Sequence, residues 1–155
     1  KYFEILNPIK LRSCFSIMLG YSNLKNFPLD IALFLEDDIR WLAARKINIQ
    51  NHEYTNLLIN SSYNFAEKNI NYYSEKVLNY LIEKASNSLN FELNNYEYKS
   101  LHFWRYAMSD KNNNFGSFMD SKLKIIVCGD WCMNGRIEGA YLSAKDAAEK
   151  LSIYL

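Results

Sequence analysis

The sequence predicts an α+β protein: a mixed β-sheet with a helix on one face, then a further strand and helix at the C-terminal end. Three observations carry this. Apolar runs of strand length follow one another between Lys10 and Ser62. A single later segment, Ser74–Leu89, changes to helical period. Lys124–Leu151 then reads as a buried strand, a Gly-Asp turn, a glycine-punctuated loop and a small-residue helix. Strands that run in series ahead of one helix favour α+β over a doubly wound βαβ array.

Taken in order, Lys10–Tyr21 (KLRSCFSIMLGY) is a mostly apolar run ending in Gly20-Tyr21, the pattern of a strand buried on both faces. Tyr21–Leu29 contains Asn, Ser and Pro28 and reads as a loop. Ile31–Leu35 and Ile39–Arg45 flank Glu36-Asp37-Asp38, which predicts a β-hairpin around a solvated acidic turn. Thr55–Ser62 is the next strand. In the helical segment Val77, Leu78, Leu81, Ile82 and Ala85 share one stripe, with Ser74 placed to cap it and Glu75 in the first turn. Tyr96–Met108 returns to alternating large aromatics and strand chemistry. Asp110–Asn114 is a loop, followed by Phe115–Met119. The Asn-rich stretches 56–71 and 87–95 read as polar insertions. No repeat appears. The expected organisation is a sheet-and-helix body over residues 1–119 and a C-terminal segment over 120–155.

Composition excludes several functions. A net charge of +1 gives no electrostatic drive toward nucleic acid or an acidic membrane surface. No basic run alternates with aromatics, so nucleic-acid binding is not expected. The apolar runs Ile31–Leu35 and Leu123–Cys128 are too short to cross a bilayer. Three cysteines, an odd number, make no disulfide framework. Cys14, Cys128 and Cys132, with His52 and His102, lack the closely spaced pairs of a structural zinc site, so no metal is expected and free thiols fit better. Cys128 reads as a buried strand thiol and Cys132 as a loop thiol. The chain opens at Lys1 without a leader pattern, which makes the cytoplasm the expected address.

The chemistry concentrates near the C-terminal end. Ile125–Cys128 is a continuous apolar run, as in a strand covered on both sides. Gly129 permits close approach to the backbone. Asp130 stands at the strand's end, where a carboxylate accepts hydrogen bonds from sugar or ribityl hydroxyls, or simply caps a turn. Asn134-Gly135 is a turn signal. Beyond it, Ile137, Ala140, Tyr141, Ala144, Ala148 and Leu151 share a helical face, so a helix starts near Arg136–Glu138. Its first amides would carry partial positive charge toward an electron-rich ring edge. Gly139 and Ala140 are small enough for a ring or chain to pack against that helix.

Val127–Leu151 resembles the C-terminal flavin motif of the renalase-like branch of flavin-containing amine oxidases. Leu101-His102-Phe103-Trp104-Arg105-Tyr106-Ala107 is similar to that branch's aromatic-basic segment, and Ser13–Leu19 and the hairpin with Arg40-Trp41-Leu42 resemble its substrate-domain strands. The resemblance implies a substrate domain over residues 1–119 and, in 120–155, the strand and helix that would complete a Rossmann-type FAD domain. It implies FAD contacts at Gly129, Asp130, Arg136, Ile137, Glu138, Gly139 and Ala140. Trp104, Arg105 and Tyr106 would line the substrate cavity, although strand alternation also sends Trp104 and Tyr106 to one face and Arg105 to the other. Ala144 replaces a frequent glycine of the family. The glycines at 20, 116, 129, 135 and 139 form no G-x-G-x-x-G turn, so the pyrophosphate cradle is absent and this chain alone should bind FAD weakly or not at all.

The reaction implied is oxidation of an amine or dihydronicotinamide-type small molecule by hydride transfer to flavin, in a protein completed by an N-terminal FAD-binding half. The residues name no catalytic group. His102 has no nucleophile to activate, and Glu36, Asp37 and Asp38 lack a cleft partner. The rival expectation is a non-catalytic remnant that self-associates or pairs with an N-terminal partner chain through an exposed edge.

Overall fold

The structure, a computed structural model, describes residues 4, 6–72, 75–109 and 113–153. Ser74, expected as a helix cap, and residues 110–112 of the expected loop lie outside these. The chain forms two compact units, Ser13–Arg105 on one hand and Lys1–Arg12 with Tyr106–Leu155 on the other. The division falls within a strand, whereas the sequence reading drew its boundary at residues 119 and 120.

The Ser13–Arg105 unit is built on strands β1 (Leu11–Tyr21), β2 (Ile31–Leu33), β3 (Ile39–Ile49), β4 (His52–Ser61) and β5 (Tyr98–Ser109), with helices α1 (Tyr63–Lys68) and α2 (Glu75–Leu89). The sheet order is β2-β3-β4-β1-β5. β2 with β3, β3 with β4, and β4 with β1 pair antiparallel. Gly20 lies against Tyr98, and Phe15 against Phe103, which runs β5 antiparallel to β1. The α+β class stands, and its sheet is antiparallel rather than mixed. Tight hairpins join β2 to β3 and β3 to β4, and such links join only antiparallel strands.

Both hairpin turns follow from local chemistry. Asp37 Oδ1 accepts the amides of Asp38 (2.5 Å) and Ile39 (3.4 Å), folding the first turn back on itself. The turn is not simply solvated. Asp38 accepts the Tyr80 hydroxyl at 2.6 Å, and Asp37 meets Ser88 Oγ at 3.3 Å and Lys84 at 3.6 Å, all from α2. That hydrogen bond to Asp38 pushes the Tyr80 phenol up to about 12. The second turn is Gln50-Asn51, both left-handed at φ 51° and 64°. These are the dihedrals of a two-residue hairpin loop, and they carry β3 four residues beyond the expected end at Arg45.

Alternation sets the core. Phe15, Ile17, Leu19 and Tyr21 of β1, Leu57 and Ile59 of β4, and Ile39 and Leu42 of β3 are buried together. A bulge between Ile39 and Trp41 resets the parity of β3. α2 closes this face with Val77, Leu78, Leu81, Ile82 and Ala85, the stripe read from the sequence. α1, unforeseen within an Asn-rich stretch, is capped by Ser62, whose hydroxyl accepts the Phe65 amide at 3.3 Å. The opposite sheet face leaves Met18, Ile31, Leu33, Tyr54, Tyr98 and Trp104 exposed.

Candidate functional site

The second unit carries the C-terminal motif on β6 (Phe118–Asp120), β7 (Ile125–Val127), a 3₁₀ turn (Asp130–Cys132) and helix α3 (Ile137–Ser152). β6 and β7 pair antiparallel as a two-stranded ribbon. β7 is not covered on both sides as its apolar run predicts: Ile125 is 52 % and Val127 38 % exposed. The thiols are also the reverse of the expectation, Cys128 being exposed and Cys132 buried. Burial pushes the Cys132 thiol up to about 11.

The corner between β7 and α3 is tied by backbone. The Asp130 carbonyl accepts the amides of Met133 and Gly135, both at 2.9 Å. Asn134 and Gly135, each at φ 62°, make the expected left-handed turn. Ser143 Oγ accepts the Gly129 amide at 3.0 Å and donates to the Gly129 or Ala140 carbonyl at 2.9 and 3.1 Å. This draws the first turns of α3 onto Gly129. A Cβ on Gly139 would sit 1.7 Å from the Met133 carbonyl oxygen, so helix and turn touch there through backbone.

α3 begins at Ile137, as read, but presents a different face to its unit. Gly139, Ser143 and Ala147 are buried, while Ile137 (92 %), Tyr141 (69 %) and Leu151 point outward. The sequence reading favoured the larger apolar residues. The small residues at every fourth position win because only they admit the backbone contact at Met133. Ser143 was missed for the same reason, and the Gly139-x-x-x-Ser143-x-x-x-Ala147 spacing was the signal that could have found it.

The structure therefore brings Gly129, Asp130, Gly139 and Ala140 together. Arg136, Glu138 and Gly139, with Met133, Asn134 and Leu142, line a polar hollow of about 270 Å³ at the start of α3. Arg136, at the N-cap position, offers no side-chain acceptor to the helix. Among the described residues the amides of Ile137, Glu138 and Gly139 have no acceptor, and the Asp130 carboxylate has no partner. The glycines do not hold space open for a ligand. Trp131 Nε1 lies 2.6 Å from where a Gly129 Cβ would be, and the Met133 carbonyl fills the space beside Gly139. On β5, Trp104 stands beside His102, ring centroids 4.2 Å apart. Tyr106 is 71 % exposed, and Arg105 turns to the other face over Phe103 at 5.9 Å.

A second cluster fastens α3 to the strand ribbon. Asp146 Oδ2 accepts the Ser117 amide and hydroxyl, both at 2.6 Å, and Lys150 reaches Asp146 (2.7 Å) and the Ser117 carbonyl (2.8 Å). Lys150, then Ser117, hold the Asp146 carboxyl below its ordinary value. A lowered carboxyl stabilises the fold above its unfolded value and loses that contribution as pH falls through the folded one. Acidification below the ordinary carboxylate range should therefore lower the protection of the Ser117 amide, its exchange rate measured relative to the intrinsic rate at the same pH, and Asp146→Asn should remove that pH dependence of protection.

The two units define an antiparallel sheet backed by helices and a strand–turn–helix corner. No family model matches the chain. Among solved structures, one that shares this fold is that of a "Putative protoporphyrinogen oxidase" from Exiguobacterium sp. 255-15, with a TM-score of 0.53. The two are 10 % identical, so the likeness is one of fold; it covers 70 % of this chain and 26 % of the other. No described helix is long and apolar enough to cross a membrane.

Proposed function

We propose that this chain is the C-terminal part of an FAD-dependent oxidoreductase of the renalase or amine-oxidase type. The observation that carries the reading is the start of α3: the amides of Ile137, Glu138 and Gly139 lack acceptors among the described residues, and Arg136, Glu138 and Gly139 line one polar hollow, with Asp130 on the adjoining turn. Such donors suit the electron-rich edge of a flavin ring, and a free carboxylate suits ribityl hydroxyls. The neighbour's name, an oxidase, agrees with this chemistry.

The fit is partial in an informative way. A hollow of about 270 Å³ takes a ring edge, not a dinucleotide, and no G-x-G-x-x-G turn exists to hold a pyrophosphate. Bound FAD would supply the hydride acceptor for an amine or dihydronicotinamide-type substrate. This chain's share is orientation and charge. The amides at the start of α3 and the Arg136 guanidinium favour negative charge at the ring edge, and so the reduced cofactor, against the opposing Glu138 carboxylate that lines the same hollow. Gly129 and Ala140 fix the helix start through Ser143. Trp104 and Tyr106 offer aromatic surface to a flat substrate, with Arg105 on the other strand face. An N-terminal FAD-binding half completes the enzyme, and the isolated chain is inactive.

Titration of FAD with the purified chain, read by flavin fluorescence quenching, tests this. Weak saturable quenching that Arg136→Glu reduces is the expected result. Stoichiometric FAD in the purified chain would overturn the missing cradle. Quenching indifferent to Arg136→Glu would overturn the placement.

A further inference from the structure

The helix layer carries a hollow that the flavin reading does not use. It measures about 310 Å³ and is lined by Phe65 of α1, its C-cap Asn69, Tyr72 beyond it, and Lys76, Val77 and Tyr80 of α2. All six belong to the Ser13–Arg105 unit. The two helices seat on the core face of the sheet, the opposite face to the one that exposes Trp104.

Its walls are fixed by contacts within the fold. The Phe65 and Tyr80 rings stack with centroids 5.4 Å apart and planes within 4° of parallel. The Tyr80 hydroxyl donates to Asp38 at 2.6 Å, which ties that ring to the β2–β3 turn. Asn69 donates its side-chain amide to the Phe65 carbonyl at 2.9 Å, and its own carbonyl accepts the Tyr72 amide at 2.9 Å. Val77 is buried in the core, whereas Tyr72 and Tyr80 keep ring surface exposed. Three aromatic rings and a valine, with few polar groups among them, are the make-up of a small-molecule site, and the volume suits one ring rather than a fused system.

The polar groups select the ligand. Lys76 carries the only charge among the lining residues, and it has no ion-pair partner among the described residues. It stands in the first turn of α2, where the helix dipole disfavours a cation, so its charge does not serve the helix. The nearby carboxylates are engaged elsewhere, Glu75 with Lys99 and Asp38 with Tyr80. An anion joined to a flat ring complements both the charge and the walls.

We propose that this hollow binds a small aromatic carboxylate, its ring against Tyr72 and Tyr80 and its carboxylate at Lys76. The site is independent of the flavin reading, and either can fail while the other stands.

Titration of the full chain with phenylacetate, followed by two-dimensional amide NMR, tests this. The amides of Asn69, Val77 and Tyr80 should shift and saturate with a Kd on the order of 1 mM, as an open site and so small a ligand imply. Phenethylamine, which carries the same ring with the opposite charge, should bind about tenfold more weakly. Lys76→Glu changes an exposed position that tolerates an acid, so the chain stays folded; it should weaken phenylacetate about tenfold and reverse the preference. Equal binding of the two compounds overturns the proposal, as does phenylacetate binding indifferent to Lys76→Glu. Shifts confined to the open sheet face around Trp104, or no saturable shift at all, overturn it as well.

Discussion

Gly139→Ala will destabilise the C-terminal unit by about 3 kcal/mol, a sign opposite to what helix propensity gives. Within a helix, alanine for glycine ordinarily stabilises by about 1 kcal/mol. Here the added methyl would fall 1.7 Å from the Met133 carbonyl oxygen, which is backbone and part of the turn held by the Asp130 carbonyl. α3 must lift away or the turn must open. Either movement breaks the Ser143 bridge to Gly129 and shifts Trp131, whose ring stacks on Phe118 at 6.0 Å. Near-ultraviolet circular dichroism and tryptophan fluorescence should therefore lose the folded signal of Trp131 at a lower temperature than in the parent. Ile137→Ala, two residues away and 92 % exposed, should change stability by no more than about 0.5 kcal/mol. Equal effects from the two substitutions would mean that α3 is seated on its large apolar side.

That contrast marks what the residues could and could not announce. The α2 stripe was legible because five apolar side chains at helical spacing face a sheet, and burial rewards them directly. The Ile31–Arg45 hairpin was legible from an acidic cluster between apolar runs. Gln50-Asn51 was not, because the usual turn glycine is missing and asparagine alone signals left-handed backbone weakly. The strand–turn–helix order from Ile125 to Ser152 was legible from its residue types. Its geometry stayed hidden because the deciding term is a backbone contact at Gly139, and apolar periodicity measures only side chains. β7 shows the opposite failure. Its composition describes a strand covered on both faces, and among the described residues β7 pairs with β6 alone and leaves Ile125 and Val127 exposed.

Phe15→Ala will lower stability by about 3–5 kcal/mol, whereas Met18→Ala, three residues along the same strand, will cost no more than about 1 kcal/mol. Phe15 is fully buried and meets the rings of Phe103 and Phe65 at 4.8 and 6.2 Å, so its removal leaves a cavity beneath α1 and β5. Met18 lies on the open face, 38 % exposed, opposite Leu58 of β4. The two residues fall on opposite sides because side chains alternate along a strand and their separation is odd. Chemical unfolding followed by far-ultraviolet circular dichroism separates the two outcomes. A large cost at Met18 would mean that the open face is covered in solution, by a second copy or another chain. The aromatic surface assigned to Trp104 would then be part of that contact rather than of a substrate cavity.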